Sequence, residues 1–353
     1  MRRRTGVGPE TPHLHPLEQL SGRALLDAIG ASRFDPKSTR GFYESYFVRA
    51  NHPSEPKAFW IRYTLFCPRG RSQLAVGQLW AIYFDGQSSE HIAIKQSVPF
   101  ESCSFSAQTL DVRIGDCTLS ERDLSGSAVS GNREIAWSLA YRGAGPPVFL
   151  LPLALYSKGF PKAKALTGIP LADFEGTLNV NGKSVPIKGW RGSQNHNWGL
   201  RHTDRYAWGQ VAGFEGRPDA FLECSTAKLR ICSLWTPWLT NLVLRVPGRE
   251  FRLNSLTQAL RNRASYRCFE WNIAAQSGGI KVEINFAANS DMVVGLMYDD
   301  PPGGGRVCLN TKLAACSVRV TEAGKPLIEL HTSNRAAFEI LPTSEVHSVS
   351  IPA

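Results

Sequence analysis

From Phe42 onward the chain is written almost entirely in short aromatic and β-branched runs that stop at Gly, Pro, Asn or Asp. Phe42–Arg49, Ala58–Phe66 and Gln78–Phe84 open the series, and each alternates its faces from one residue to the next. Period-two patterning bounded by turn residues is the signature of strands. The habit continues through His91–Gln96, Asp111–Ile114, Ile135–Tyr141, Phe149–Tyr156, Asp173–Val180 and Ser184–Lys188. Asn181-Gly182 between the last two runs is the strongest short turn signal in the chain. The second half repeats the pattern from Tyr206–Phe214 to Ala336–Ile340. The total is on the order of 16–18 strands, spaced as in sandwiches and barrels.

Helix is confined to a few places. Leu17, Leu20, Ala24, Leu25, Ala28 and Ile29 follow helical spacing and meet Gly30, which predicts one short helix over about 17–29. Ser255–Arg263 has room for a turn or two. The fold class expected is therefore all-β, too long for one small barrel. The natural division is an arm and short helix over 1–35, a first β-domain over 36–188 and a second over 189–353.

Composition narrows the function classes. With 42% hydrophobic and 20% charged residues in 353, the chain reads as folded and globular. Its net charge of +10 suggests a polyanion partner, but the cations are dispersed and only Arg2-Arg3-Arg4 form a run. No nucleic-acid motif accompanies them, so no specific nucleic acid is expected as partner. The longest apolar run, Pro146–Tyr156, is far short of the roughly 18 residues a membrane helix needs. Met1–Pro12 precedes no apolar segment of the secretory kind, which leaves the cytoplasm as the default location, with peripheral membrane contact still open. The eight cysteines form no CxxC, so reduced and mostly buried thiols are expected, with no structural zinc.

The usual catalytic signatures are missing: no GxSxG elbow, P-loop, HExxH or GxGxxG following a strand. Gly303-Gly304-Gly305 after Pro301-Pro302 reads as a hairpin loop. One segment stands apart, Gly189–Gln210, dense in Trp, His, Arg and Asn. In a strand, Gln194, His196 and Trp198 share one face while Asn195 and Asn197 take the other. A His beside an indole can donate protons next to an apolar shelf, or it can satisfy loop backbone while Trp residues plug a barrel end. Two carboxylates lie in apolar strands: Glu44, two residues from Tyr46 and on its face, and Glu223 in Ala220–Cys224. Desolvation would favour their neutral forms and suit a general acid; pairing with one of the many Arg residues is the structural alternative. A metal set of His196, His202 and Glu223 matches no standard spacing.

Phe42-Tyr-Glu-Ser-Tyr-Phe47 resembles the aromatic, acid-bearing opening strand of the AttH/carotenoid 1,2-hydratase (hydroxyneurosporene synthase) group. Gly192-Ser-Gln-Asn-His-Asn-Trp-Gly199 is similar to that group's His/Trp motif, and to the Asn-Trp-Gly segment of tocopherol cyclases. The resemblance covers about 40–350. It implies two tandem lipocalin-like antiparallel β-barrels with an apolar cavity near their junction. It also implies hydration, cyclisation or isomerisation of isoprenoid or polyketide-like molecules without metal or redox cofactor. In the hydratases a Tyr and an acid two residues apart follow in a later strand; here that place reads Phe221-Leu222-Glu223. The phenol is replaced and the acid lengthened.

Two readings follow. One is a cofactor-independent acid–base enzyme of the hydro-lyase or isomerase/cyclase kind acting on an apolar, isoprenoid-like molecule. Glu223 or His196 would protonate a double bond, with Glu44 in reserve. Trp198, Trp208 and Tyr206 would shelter a developing cation, Tyr46 and Phe221 would shape the site, and Gln194 and Asn197 would hold water or a polar end. Arg191, Arg201 and Arg205 would hold an acidic headgroup. The other reading is a non-catalytic lipocalin-like carrier of a hydrophobic ligand.

Overall fold

Strand-forming residues dominate the computed structural model, which describes residues 17–342 apart from 232, together with 349–352. The Arg2–Arg4 run, the Met1–Pro12 signal reading and Cys232 lie outside the described residues. A 12-stranded and a 10-stranded antiparallel sheet carry the chain, with a two-stranded ribbon beside them. The first runs from Phe42–Asn51 to Lys183–Gly199 and the second from Arg205–Phe214 to Lys325–Ile340.

Each sheet curls on itself. In the first, the Gln96 side chain accepts a hydrogen bond from the Val129 backbone at 3.0 Å, joining Ile92–Pro99 to Asp123–Ser130 into a nearly closed barrel. In the second, the helix Leu256–Arg261 bridges toward the opposite edge. Asn262 after it donates to the Thr240 and Leu253 carbonyls, both at 2.9 Å. Both barrels have their own interior: Tyr46, Val48, Phe59, Tyr63 and Trp190 in the first, Trp271, Phe286 and Phe338 in the second. A third apolar cluster, with Phe47, Trp60, Trp80, Leu296 and Tyr298, fills the space between them. Phe42–Asn51 is thus buried on both faces, even-numbered side chains toward the barrel interior and odd-numbered ones toward the other barrel.

The all-β class, the tandem barrels and the N-terminal helix are as expected, with local corrections. The helix begins at Gly22 and ends at Gly30, and Leu17–Gln19 makes only a separate 3-10 turn. Phe149–Tyr156 is not a strand: Val148–Phe149 pairs briefly, and Pro152 then opens a 3-10 turn at Leu153–Leu155. The hairpin at Asn181-Gly182 is present, with φ of 50° and 81° at its two turn residues, the left-handed pair a tight hairpin turn requires. The strand after it does not stop at Lys188 but continues to Gly199, so residues 189–199 belong to the first sheet. Gly192 permits that continuation, because a Cβ there would lie 1.8 Å from the Arg49 carbonyl oxygen. Gly303 and Gly304 sit in the hairpin loop between Val294–Asp299 and Gly305–Glu322.

Among the described residues no helix is long and apolar enough to cross a membrane. Cys67, Cys117, Cys224, Cys308 and Cys316 are buried free thiols.

Candidate active site

The strand Lys183–Gly199 lies between Phe42–Asn51 and Ala163–Val180, and its alternation sends side chains into two different compartments. His196 and Trp198 face the end of the first barrel that the N-terminal helix covers. Their rings lie 4.7 Å apart, and Tyr46 stacks on His196 at 4.1 Å. His196 Nε2 is 3.0 Å from Glu44 Oε1, and its Nδ1 is 2.7 Å from the Ile29 carbonyl oxygen. Glu44 also accepts from the Ser32 hydroxyl at 2.6 Å and from the Arg33 backbone N–H at 3.0 Å. The Arg33 guanidinium covers Trp198 at 3.9 Å and donates to the Ala28 and Ala31 carbonyls. Burial pushes the His196 ring below the ordinary imidazole value, and the hydrogen bond to Glu44 opposes that shift.

Ser193 and Asn195 turn the other way, toward the second barrel, and join a buried amide and hydroxyl network. Gln210 donates to Asn195 Oδ1 at 2.8 Å and to Thr167 Oγ1 at 3.0 Å. Its own Oε1 accepts from Ser193 at 2.7 Å and from Arg49 Nε at 3.0 Å. Glu223, opposite Gln210 in strand register, is bound by Trp208 Nε1 at 3.1 Å and by Thr167 Oγ1 at 2.9 Å. The Thr167 hydroxyl also lies 2.9 Å from Asn195 Oδ1. It has a single hydrogen for those two acceptors, so a protonated Glu223 can complete the network as donor. Desolvation raises the Glu223 carboxyl to about 7, against the opposing pull of Trp208, Thr167 and Arg49. The same burial drives Arg49 down to about 9, with Glu223 partly restoring it.

A cavity of about 220 Å³ opens between the two barrels. Glu223, Trp208, Tyr206, Asn197 and Trp60 line it, and His196 borders it. Leu150, Leu155, Leu166 and Leu239 supply apolar wall from the 150–166 segment and the second sheet. Asn197 Oδ1 is buried without a partner among the described residues.

The structure therefore divides the residues singled out by the sequence. Glu44, Tyr46, His196 and Trp198 form one cluster; Glu223, Trp208, Tyr206 and Asn197 gather at the cavity. Glu44 is paired with His196 rather than with an arginine, and Glu223 makes no ion pair among the described residues. Gln194 shares the His196 face and donates to the Asn195 carbonyl at 3.1 Å, away from the cavity. Phe221 packs among Val148, Ala212 and Val243 and does not line it. Arg191, Arg201 and Arg205 do not gather there either. Arg191 pairs with Asp173, Arg201 with Asp204, and Arg205 lies over Trp235, because nearby surface partners take each of them. The cations that do line the cavity are Arg62 and Lys164. His202 also lines it, but stacks on Tyr43 at 4.0 Å and joins the Asp299 carbonyl at 3.2 Å. Among the described residues no group of three or more His, Cys, Asp or Glu is arranged to hold a metal. Sequence reasoning missed Thr167, Gln210, Arg49 and Arg62; the two arginines, isolated in apolar strands, carried the same signal that marked Glu223.

No family model matches the sequence. An uncharacterized protein of Mycobacterium tuberculosis, present in strains CDC 1551 and H37Rv, is 27% identical over 307 residues, covering 84% of this chain and 87% of the relative. Among solved structures, an AttH-like protein from Nitrosomonas europaea aligns with a TM-score of 0.56 and 12% identity over 95% of this chain and 99% of its own. Kievitone hydratase from Nectria haematococca gives 0.52 and 11%, over 94% of each chain. CghA, crystallised with Sch210972, gives 0.55 and 13% over 87% of this chain and 90% of its own. The chain has the fold of these AttH-like, lipocalin-type proteins.

Proposed function

We propose that the chain is a cofactor-independent acid–base enzyme, a hydratase, cyclase or isomerase, acting on an apolar isoprenoid-like molecule held between the two barrels. The observation that carries this reading is Glu223: a carboxyl raised to about 7 by burial, on the wall of an aromatic cavity. A group with that value holds its proton near neutrality and can still release it. Glu223 gives the proton to one carbon of a substrate double bond. The cation left on the other carbon rests against the faces of Trp208 and Tyr206. Trp208 N–H and the Thr167 hydroxyl stabilise the carboxylate that results. Water held by Asn197 Oδ1 then adds to the cation and returns a proton to Glu223, which is hydration. Loss of a neighbouring C–H proton to the Glu223 carboxylate instead gives isomerisation and restores the acid. The fold shared with a protein named as a hydratase supports the same reaction class. Glu44 and His196 act as positioning groups that fix the strand carrying Asn195 and Asn197.

The carrier reading rests on one observation: both ring nitrogens of His196 are already satisfied by protein groups. Deuterium separates the two. Small molecules copurifying with the protein are extracted after incubation in D2O and weighed by mass spectrometry. An enzyme incorporates deuterium at carbon in the wild type and not in Glu223→Gln; unlabelled ligand from both identifies a carrier.

A further inference from the structure

Arg62 projects from Lys57–Cys67 on the face directed toward the second barrel, and only 4% of it is exposed. Its Nε donates to Thr64 Oγ1 at 3.0 Å and its Nη2 to Ser45 Oγ at 2.7 Å, two neutral hydroxyls. Only these two of its three nitrogens donate, and no carboxylate lies within ion-pair reach, among the described residues. Arg49 on the neighbouring strand is equally buried, but its three nitrogens are taken up by Gln210, Asn51 and the Arg335 carbonyl. Among the described residues Arg62 is therefore a buried guanidinium with one nitrogen that donates to no protein group, and it lines the cavity.

Two aromatic rings stabilise its charge in part. The Tyr298 ring lies 4.8 Å from the guanidinium carbon and the Trp60 ring 5.8 Å. Trp60 Nε1 is a buried donor without an acceptor among the described residues. The carboxylates on the cavity wall are engaged elsewhere, Glu223 with Trp208 and Thr167 and Glu339 with Lys312 at 2.9 Å. Lys164, the other cation of the wall, gives its ammonium to the Pro161 carbonyl at 2.8 Å. A buried cation facing a cavity without a counter-ion is destabilising unless something supplies the charge; the cation–π contact offsets only part of that.

We infer that Arg62, with Trp60 and Tyr298 beside it, forms a subsite for an anionic oxygen group carried by an otherwise apolar ligand. This rests on reading the cavity as the substrate site and adds the polarity of the substrate: one end aromatic-lined and reactive at Glu223, the other ionised and held at Arg62. The subsite fixes which carbon of the substrate reaches Glu223.

Two fluorescent probes of nearly the same shape test it: 1-anilinonaphthalene-8-sulfonate, and N-phenyl-1-naphthylamine, which lacks the sulfonate. Binding is read from energy transfer out of the cavity tryptophans. The wild type is expected to prefer the sulfonate by tenfold or more. Arg62→Met is expected to remove that preference while keeping the neutral probe's affinity, and Lys164→Met to leave the preference in place. Should Arg62→Met not fold, Arg62→Lys keeps the charge and is expected to retain part of the preference. Equal affinities in the wild type, a preference surviving in Arg62→Met, or one absent from a folded Arg62→Lys overturns the subsite. Neutral-probe binding without a sulfonate preference removes the subsite alone, whereas no binding of either probe also removes the cavity as the substrate site. None of these outcomes depends on turnover, so an inactive Glu223→Gln leaves the test intact.

Discussion

His196 and Glu44 share one proton across their 3.0 Å contact. The Ile29 carbonyl can only accept, so Nδ1 carries a hydrogen. Nε2 then either donates to a carboxylate or accepts from a carboxylic acid, and in both states the buried pair is neutral overall. Glu44→Gln can donate to Nε2 and still accept from Ser32, so a loss of about 1–2 kcal/mol is expected. Glu44→Ala strands the imidazole, the Ser32 hydroxyl and the Arg33 N–H together, for a loss of about 3 kcal/mol or more. Urea unfolding of the two variants measures the difference, and equal losses would contradict the shared proton.

Glu223 gives stability a pH dependence of the opposite kind to an ordinary salt-bridged acid. Its value rises from the usual 4.5 to about 7 on folding, so the native state holds the proton more tightly. The contribution is complete below about 4.5 and is lost as pH rises through about 7, an effect of up to about 3 kcal/mol. Glu223→Gln should flatten that part of the stability profile and be more stable than wild type at pH 8. A wild-type profile that rises between pH 5 and pH 8, with no such flattening in the variant, would refute the raised value.

If Glu223 is the proton donor, kcat should fall as pH rises through about 7, because only the protonated carboxyl can give up its proton. Glu223→Gln should abolish turnover while ligand affinity changes little. A pH–rate profile flat from pH 5 to pH 9 would assign the proton to another group.

Gln210 sits at the centre of the network between the barrels, with hydrogen bonds to Ser193, Arg49, Thr167 and Asn195. Gln210→Leu removes all of them at similar volume and leaves Arg49 without its main acceptor. A loss of about 2–4 kcal/mol is expected from chemical denaturation.

Ser255 caps the helix that bridges the second sheet, accepting from Gln258 N–H at 3.3 Å while the Gln258 side chain returns a bond to Ser255 N–H at 3.2 Å. Ser255→Ala should cost about 1 kcal/mol, visible as a Tm lowered by a few degrees.

Much of the fold was legible because strand alternation and turn residues are local signals. Asn181-Gly182 announces its own turn, and the His196/Trp198 spacing of two correctly put those rings on one face. The Phe149–Tyr156 error came from reading apolar character without weighing Pro152. The site was harder, because closure of the sheets decides which residues meet. Nothing in the spacing of Arg62 and Glu223 says that they line one cavity, or that Thr167 and Gln210 join the network beside Glu223. Nor could the sequence show that Arg191, Arg201 and Arg205 each have a nearer partner than any ligand.

The strand Lys183–Gly199 behaves as a partition wall, with the Glu44–His196 cluster on one side, His196 alone of the pair bordering the cavity, and Glu223 on the other. Odd and even positions are committed to different rooms, so the wall is intolerant of slippage as well as of substitution. Deleting a single residue between Gly192 and Asn195 would leave composition almost untouched. It would nevertheless present an imidazole to the second barrel and an amide to the N-terminal helix, exchanging the contents of the two chambers. In this chain the parity of a residue number carries chemical meaning.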